Sequence, residues 1–191
     1  MATVTDSGLV TGVSTGGANI YVISGGQQDT KNIRVVPNYA GSWSGSYYVT
    51  GCSQTGAYAT FNYCSSDFST NSVFPYNMSL TQSLDTVTGT FYLGTLQFGQ
   101  SSETMDGGGG VALSANYYSG VSTIYCVWNL SSSTPGRLAG TVRQTWSAST
   151  VPGQMVVTGT IRDSMKTFGA MPTTDNRFEN IVHRWQELVR R

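Results

Sequence analysis

Eight short runs of strand-forming residues follow one another between residues 39 and 164. They lie at 41–51, 57–64, 76–83, 87–98, 111–118, 121–130, 137–147 and 154–163. Turn signals separate them, among them Ser83-Leu84-Asp85-Thr86, the Gly107–Gly110 run after Asp106, and Ser119-Gly120. This spacing predicts a hairpin-connected all-β fold. Three runs repeat one device. Val87-Gly89-Phe91-Leu93, Leu138-Gly140-Val142 and Val157-Gly159-Ile161 each set a glycine between apolar residues on one face. A glycine weakens a strand locally but lets it coil sharply, as a small closed barrel requires. The expectation is an eight-stranded antiparallel up-and-down barrel, whose closure removes edge strands. A two-sheet sandwich is the alternative.

The first run, AGSWSGSYYVTGC, alternates with period two, so Trp43, Gly45, Tyr47 and Val49 share a face. It opens on Gly41-Ser42-Trp43, a G-x-W at the start of the first barrel strand. This resembles the first-strand signature of lipocalins and the wider calycin group, avidins included. The resemblance implies that Trp43 plugs the closed end of the barrel against a basic residue from a late strand. Arg137, Arg143 and Arg162 are the candidates.

Residues 1–38 read differently. Asp6-Ser7-Gly8 leads into Leu9-Val10-Thr11-Gly12-Val13, then Gly16-Gly17-Ala18-Asn19-Ile20 and a closing Ile33-Arg34-Val35-Val36. These features resemble the C-terminal half of a bacterial Ig-like group 2 domain, a family of spacers and adhesion modules on bacterial surfaces. Half a sandwich cannot bury both its sheets, so the alternatives for the segment are pairing with the next domain, with another copy, or with nothing at all. The start at Met1-Ala2-Thr3 opens directly on strand-like sequence, as a fragment of a longer protein would. Low charge with abundant Gly, Ser, Thr and Asn points to an extracellular or cell-surface bacterial setting.

Charge divides the chain unevenly, with ten charged residues in 1–161 and ten in 162–191. The zero net charge leaves no basic excess for nucleic acid, and no apolar run is long enough to span a membrane as a helix. In 165–191, after Met171-Pro172, the period changes to that of a helix. Phe178, Ile181, Val182, Trp185, Leu188 and Val189 fall on one face, with Glu179, His183, Arg184, Glu187 and Arg190 on the other. Asp175 or Asn176 is placed to cap it, with Glu179 completing a capping box. The apolar face is expected on the barrel's outer wall or against another chain, which makes a homo-oligomer an open possibility.

Chemistry-bearing residues are few. Cys52 and Cys64 end successive predicted strands; a bridge would close a loop of about a dozen residues and stabilise by about 3 kcal/mol, and the alternative is two buried thiols. Cys126 reads as a small core residue. His183 is the one histidine, flanked at helical spacing by Glu179 and Glu187, too few ligands for a zinc site. His183, or Glu103 and Asp106 beside the glycine run, are the candidates for general acid and base of a hydrolase or isomerase. Gly12-Val13-Ser14-Thr15-Gly16 matches G-x-S-x-G, but a strand follows it where a nucleophile elbow needs a helix. No cofactor or metal motif is present. The rings carry the leading reading. Tyr47, Phe61, Tyr63, Phe91, Tyr117, Tyr125 and Trp146 are placed to face the interior and hold a small apolar or aromatic ligand, unless they fill the core themselves. The functional expectation is a binding protein, by ligand carriage or surface adhesion, with a structural module and a barrel-mouth hydrolase as alternatives.

Overall fold

The computed structural model describes residues 1–132, 134–167 and 175–190, with Asp163 by its backbone alone. At the N-terminus β1 (Ala2–Val4) pairs with β2 (Val10–Gly12), and β3 (Gly16–Ser24) with β4 (Gln27–Val35). The β3–β4 turn is Gly25-Gly26, both at positive φ, which suits a two-residue hairpin. The two hairpins leave Val13, Tyr21, Val22 and Ile23 exposed. Arg34 ties them to the rest of the chain, donating to the carbonyls of Met105 (3.4 Å) and Asp106, with Asp85 at 3.7 Å.

The large sheet begins with β5 (Gly41–Gly56). A 3₁₀ turn (Ala57–Thr60) and the short helix α1 (Tyr63–Ser66) come next. Then come β6 (Val73–Ser83), β7 (Thr86–Leu93), β8 (Leu96–Gln97), β9 (Ser101–Thr104), β10 (Val111–Ser119), β11 (Ser122–Ser131), β12 (Arg137–Ala148) and β13 (Val151–Thr167). The ladder is antiparallel and runs β10-β11-β12-β13-β5-β6-β7, with β8 and β9 both paired to β7. First and last strands of the sheet are thus neighbours, Gly153 opposite Gly56 and Thr167 opposite Ser42. At the two ends of the ladder, Gly99 N–H donates to Asn116 O at 2.9 Å and Ser114 N–H to Ser101 Oγ at 3.1 Å.

Alternation sorts the faces as expected. Trp43, Tyr47 and Val49 are buried, as are Val87, Phe91 and Leu93, then Leu138, Val142 and Trp146. Three expectations need correction. The run 57–64 is a turn and a helix, because Gly56 at φ 59° ends β5 and the chain then coils back. The run 87–98 breaks at Gly94 (φ 61°) into a tight hairpin, and β9 is an added strand. The C-terminal helix, α2 (Arg177–Val189), does not lie on the outer wall. Its Phe178 and Trp185 pack on Trp146, and Phe178 also on Phe74, both side chains of the sheet's inner face. Met171-Pro172 lies outside the described residues.

Candidate functional site

The inner face is built around Trp128, which is fully buried. Phe91 stacks on it with ring centres 5.5 Å apart and planes within 4°. Tyr76 tilts against it at 5.2 Å, and Tyr47 meets it edge-on at 6.3 Å. A polar string threads these rings. Trp146 Nε1–H donates to Gln144 Oε1 at 3.1 Å, and Gln144 Nε2–H donates to the Tyr47 hydroxyl at 2.8 Å. Burial pushes the Tyr47 hydroxyl well above the usual phenol range, with the Gln144 contact opposing it. The inward glycines do not leave room between the rings. A Cβ on Gly159 would stand 2.7 Å from Tyr47 Cδ2, and one on Gly89 2.9 Å from Phe91 Cζ.

At one end of the sheet Trp43 is buried and donates Nε1–H to Tyr39 O at 2.7 Å. Lys166 Nζ lies over its ring, 5.6 Å from the centre. The basic partner is therefore Lys166, with Arg137 and Arg143 exposed on β12 and Arg162 over the Tyr48 ring at 4.9 Å. The Tyr39 hydroxyl donates to Gly109 O at 2.8 Å, and burial first, then the Asp106 charge, lift its pKa to about 12.

The opposite end of the sheet is covered by α2. A disulfide joins Cys52 of β5 to Cys64 of α1 and closes the loop that seats the helix. Tyr63 of this loop lies 5.9 Å beneath the Arg184 guanidinium, and Asp67, three residues past the loop, accepts from the same group at 2.6 Å. Phe68, just beyond, packs on Trp146 at 5.4 Å. Glu179 does not take the polar face that its spacing predicts. It turns inward instead, is buried, and accepts from Thr95 N–H, so it forms no capping box with Asn176. Asp175 accepts from Arg177 N–H at 3.0 Å, and the Arg177 guanidinium on its side chain holds its carboxyl below the usual range. An open cleft of about 430 Å³ lies beside this seat, lined by Phe61, Asn62, Tyr63, Asp67, Glu187 and Leu188 among others.

The residues singled out in the sequence thus fall into separate groups. Tyr47, Phe91 and Trp146 share the inner face; Phe61 and Tyr63 sit beside α2 on a turn and helix. Tyr117 is half-buried against Phe98 at 5.8 Å. Tyr125 points outward and is exposed, because its neighbours Ile124 and Cys126 take the inner face. Glu103 and Asp106 are exposed at the Trp43 end, whereas His183 is exposed on α2 at the opposite end, so His183 pairs with neither carboxylate. Both Gly108 N–H and Gly110 N–H donate to Asp106 Oδ1 at 2.8 Å, the role of a turn residue. Cys126 is fully buried, and burial pushes its thiol up. Among the described residues no His, Cys, Asp or Glu cluster has metal-binding geometry.

Sequence reasoning missed Gln144, Lys166 and the inward Glu179. A lone glutamine in an apolar alternating row, Val142-Gln144-Trp146, was the available signal for the first. Compared with known proteins, the chain matches no family model, no curated protein and no solved structure.

Proposed function

We propose that this chain is an extracellular bacterial binding module that works through its surface, with a filled, calycin-like closed barrel as its body. The observation that carries the reading is the mutual packing of the inner rings. Trp128, Phe91, Tyr76 and Tyr47 occupy one another's faces and edges, and Phe178 and Trp185 of α2 cover the mouth. The adjacency of β5 and β13, the Gly99–Asn116 link and the Trp43–Lys166 contact support closure of the sheet in the calycin manner. The exposed hairpins of residues 1–38 support the Ig-like comparison, and the disulfide fits an oxidising compartment. His183 stands apart from both carboxylates, and Asp106 Oδ1 is taken up by the N–H groups of Gly108 and Gly110, which argues against the hydrolase alternative.

The test is adsorption of the purified chain to protease-stripped, insoluble envelope material from bacterial cells. Surface adhesion expects depletion of the protein from the supernatant. Retention in the supernatant, together with a small molecule released in one-to-one amount on denaturation, would overturn it. The cleft at Phe61 and Tyr63 favours a second reading, a small apolar ligand bound at the mouth beside α2.

A further inference from the structure

The outward face of β10, β11 and β12 differs from the rest of the sheet. Its outward positions carry no carboxylate and two charges, Arg143 and, at the start of β12, Arg137. They also carry two of the most exposed rings of the structure, Tyr118 (70 % exposed) and Tyr125 (41 %). Tyr118 stands opposite Thr123, two residues before Tyr125 in β11, so the two residues are diagonal neighbours on one face, their backbones about 7–8 Å apart. Along β11 the outward row then runs through Val127 to Asn129. Arg143 lies directly across from Val127, and Thr141 across from Asn129, whose Nδ2–H donates to Thr141 Oγ1 at 3.3 Å. Beyond Asn129 the face ends in a cleft of about 350 Å³ formed with Gly140, Thr141 and the loop of Asp106 and Gly110. The Oδ1 atom of that Asp106 is already held by two backbone N–H groups. From Thr123 to Asn129 this track is about 20 Å long.

Resting on the adhesion reading, we infer that this face binds an extended acidic polysaccharide, a chain of sugars bearing uronic carboxylates. A sugar presents an apolar C–H face and a rim of hydroxyls. Tyr118 and Tyr125 offer flat ring area at low entropic cost for the first, and Asn129 and Thr141 offer neutral donors and acceptors for the second. The Arg143 guanidinium makes no ion pair among the described residues and takes a carboxylate in a two-pronged contact. The absence of carboxylates along the outward rows removes repulsion of an anionic chain. Two cations are too few for nucleic acid, whose binding draws on many phosphate contacts.

The probe is polygalacturonate in affinity gel electrophoresis, compared with its fully methyl-esterified form. The native protein should be retarded more by the acidic form. Tyr125→Ala should weaken binding of both forms about tenfold. Arg143→Gln should abolish the preference for the acidic form and leave binding of the ester unchanged. Both side chains point outward, so the melting temperature of each variant should match the native one. No retardation by either form overturns the inference, as does retardation that neither substitution changes. Loss on Phe61→Ala alone also overturns it, by placing the contact at the mouth. Failure here with adsorption to envelope material intact removes this ligand class and leaves the adhesion reading standing.

Discussion

The indole of Trp185 stands edge-on to the indole of Trp146, ring centres 5.0 Å apart and planes at 73°. This contact, with Phe178 on the same Trp146 at 5.5 Å, seats a charged helix on the inner end of a β-sheet. Trp185→Ala should therefore cost about 3–5 kcal/mol of unfolding free energy. His183→Ala, on the exposed side of the same helix, should change it by less than about 0.5 kcal/mol. Urea unfolding of the two variants decides the matter; equal losses would mean that α2 is not held by its tryptophan.

Reduction of Cys52–Cys64 should lower stability by about 3 kcal/mol, because the bond closes a loop that the unfolded chain would otherwise leave free. The same loop carries Tyr63 and leads directly into Asp67, and both hold Arg184. Hydrogen exchange in α2 should accordingly quicken on reduction, and unchanged exchange would uncouple the loop from the helix. A thiol reagent added to the reduced, folded protein should label Cys52 and Cys64, which are half-buried, and spare Cys126.

Alkaline pH should unfold the protein through its buried phenols. Burial raises Tyr39 and Tyr76 from 10.0 to about 12 each, and raises Tyr47 as well. The unfolded chain releases these protons near 10, whereas the folded chain holds them. The stabilisation is complete below pH 10 and is lost as pH climbs from 10 toward 12, by about 1.4 kcal/mol per pH unit for each such tyrosine. Phenolate absorbance should rise in two phases, the exposed tyrosines first and the buried group together with loss of the fold. A single smooth titration with the fold intact would contradict the burial of these hydroxyls.

Gly159→Ala should destabilise by about 1–3 kcal/mol, since its new methyl would press on the Tyr47 ring at 2.7 Å and on Tyr48 O at 3.0 Å. Gly107→Ala meets nothing within 4 Å and serves as the control, with a change of less than about 0.5 kcal/mol. Thermal melts of the pair measure how tightly the inner face is filled.

Period-two alternation made most of the large sheet legible, since a strand with one buried face must write that face into every second residue. It failed wherever the chain leaves that period. Residues 57–66 carry strand-like rings, but Phe61 and Tyr63 serve a disulfide-closed turn instead. Lys166 escaped notice because the β13–β5 register shifts between Arg162 and Met165, so faces cannot be counted across it. The helix was plain from its own spacing. Its seat was not, because an amphipathic pattern says that a face is covered and is silent about what covers it. The cleft beside α2 draws on two separated stretches of chain, 60–67 and 184–188, and no local pattern brings Asp67 and Arg184 together.

The pairing of β13 with β5 has a consequence for biosynthesis. Thr50 and Thr158, hydroxyl to hydroxyl at 3.3 Å, are 108 positions apart. A ribosome delivers β5 early and β13 near the end, so β5 waits through most of translation with one edge bare. Such distant pairings make for slow folding, and an open strand edge invites association with other nascent chains. A chain interrupted before Val151 would keep that edge permanently, and chaperone demand should concentrate on this interval of synthesis.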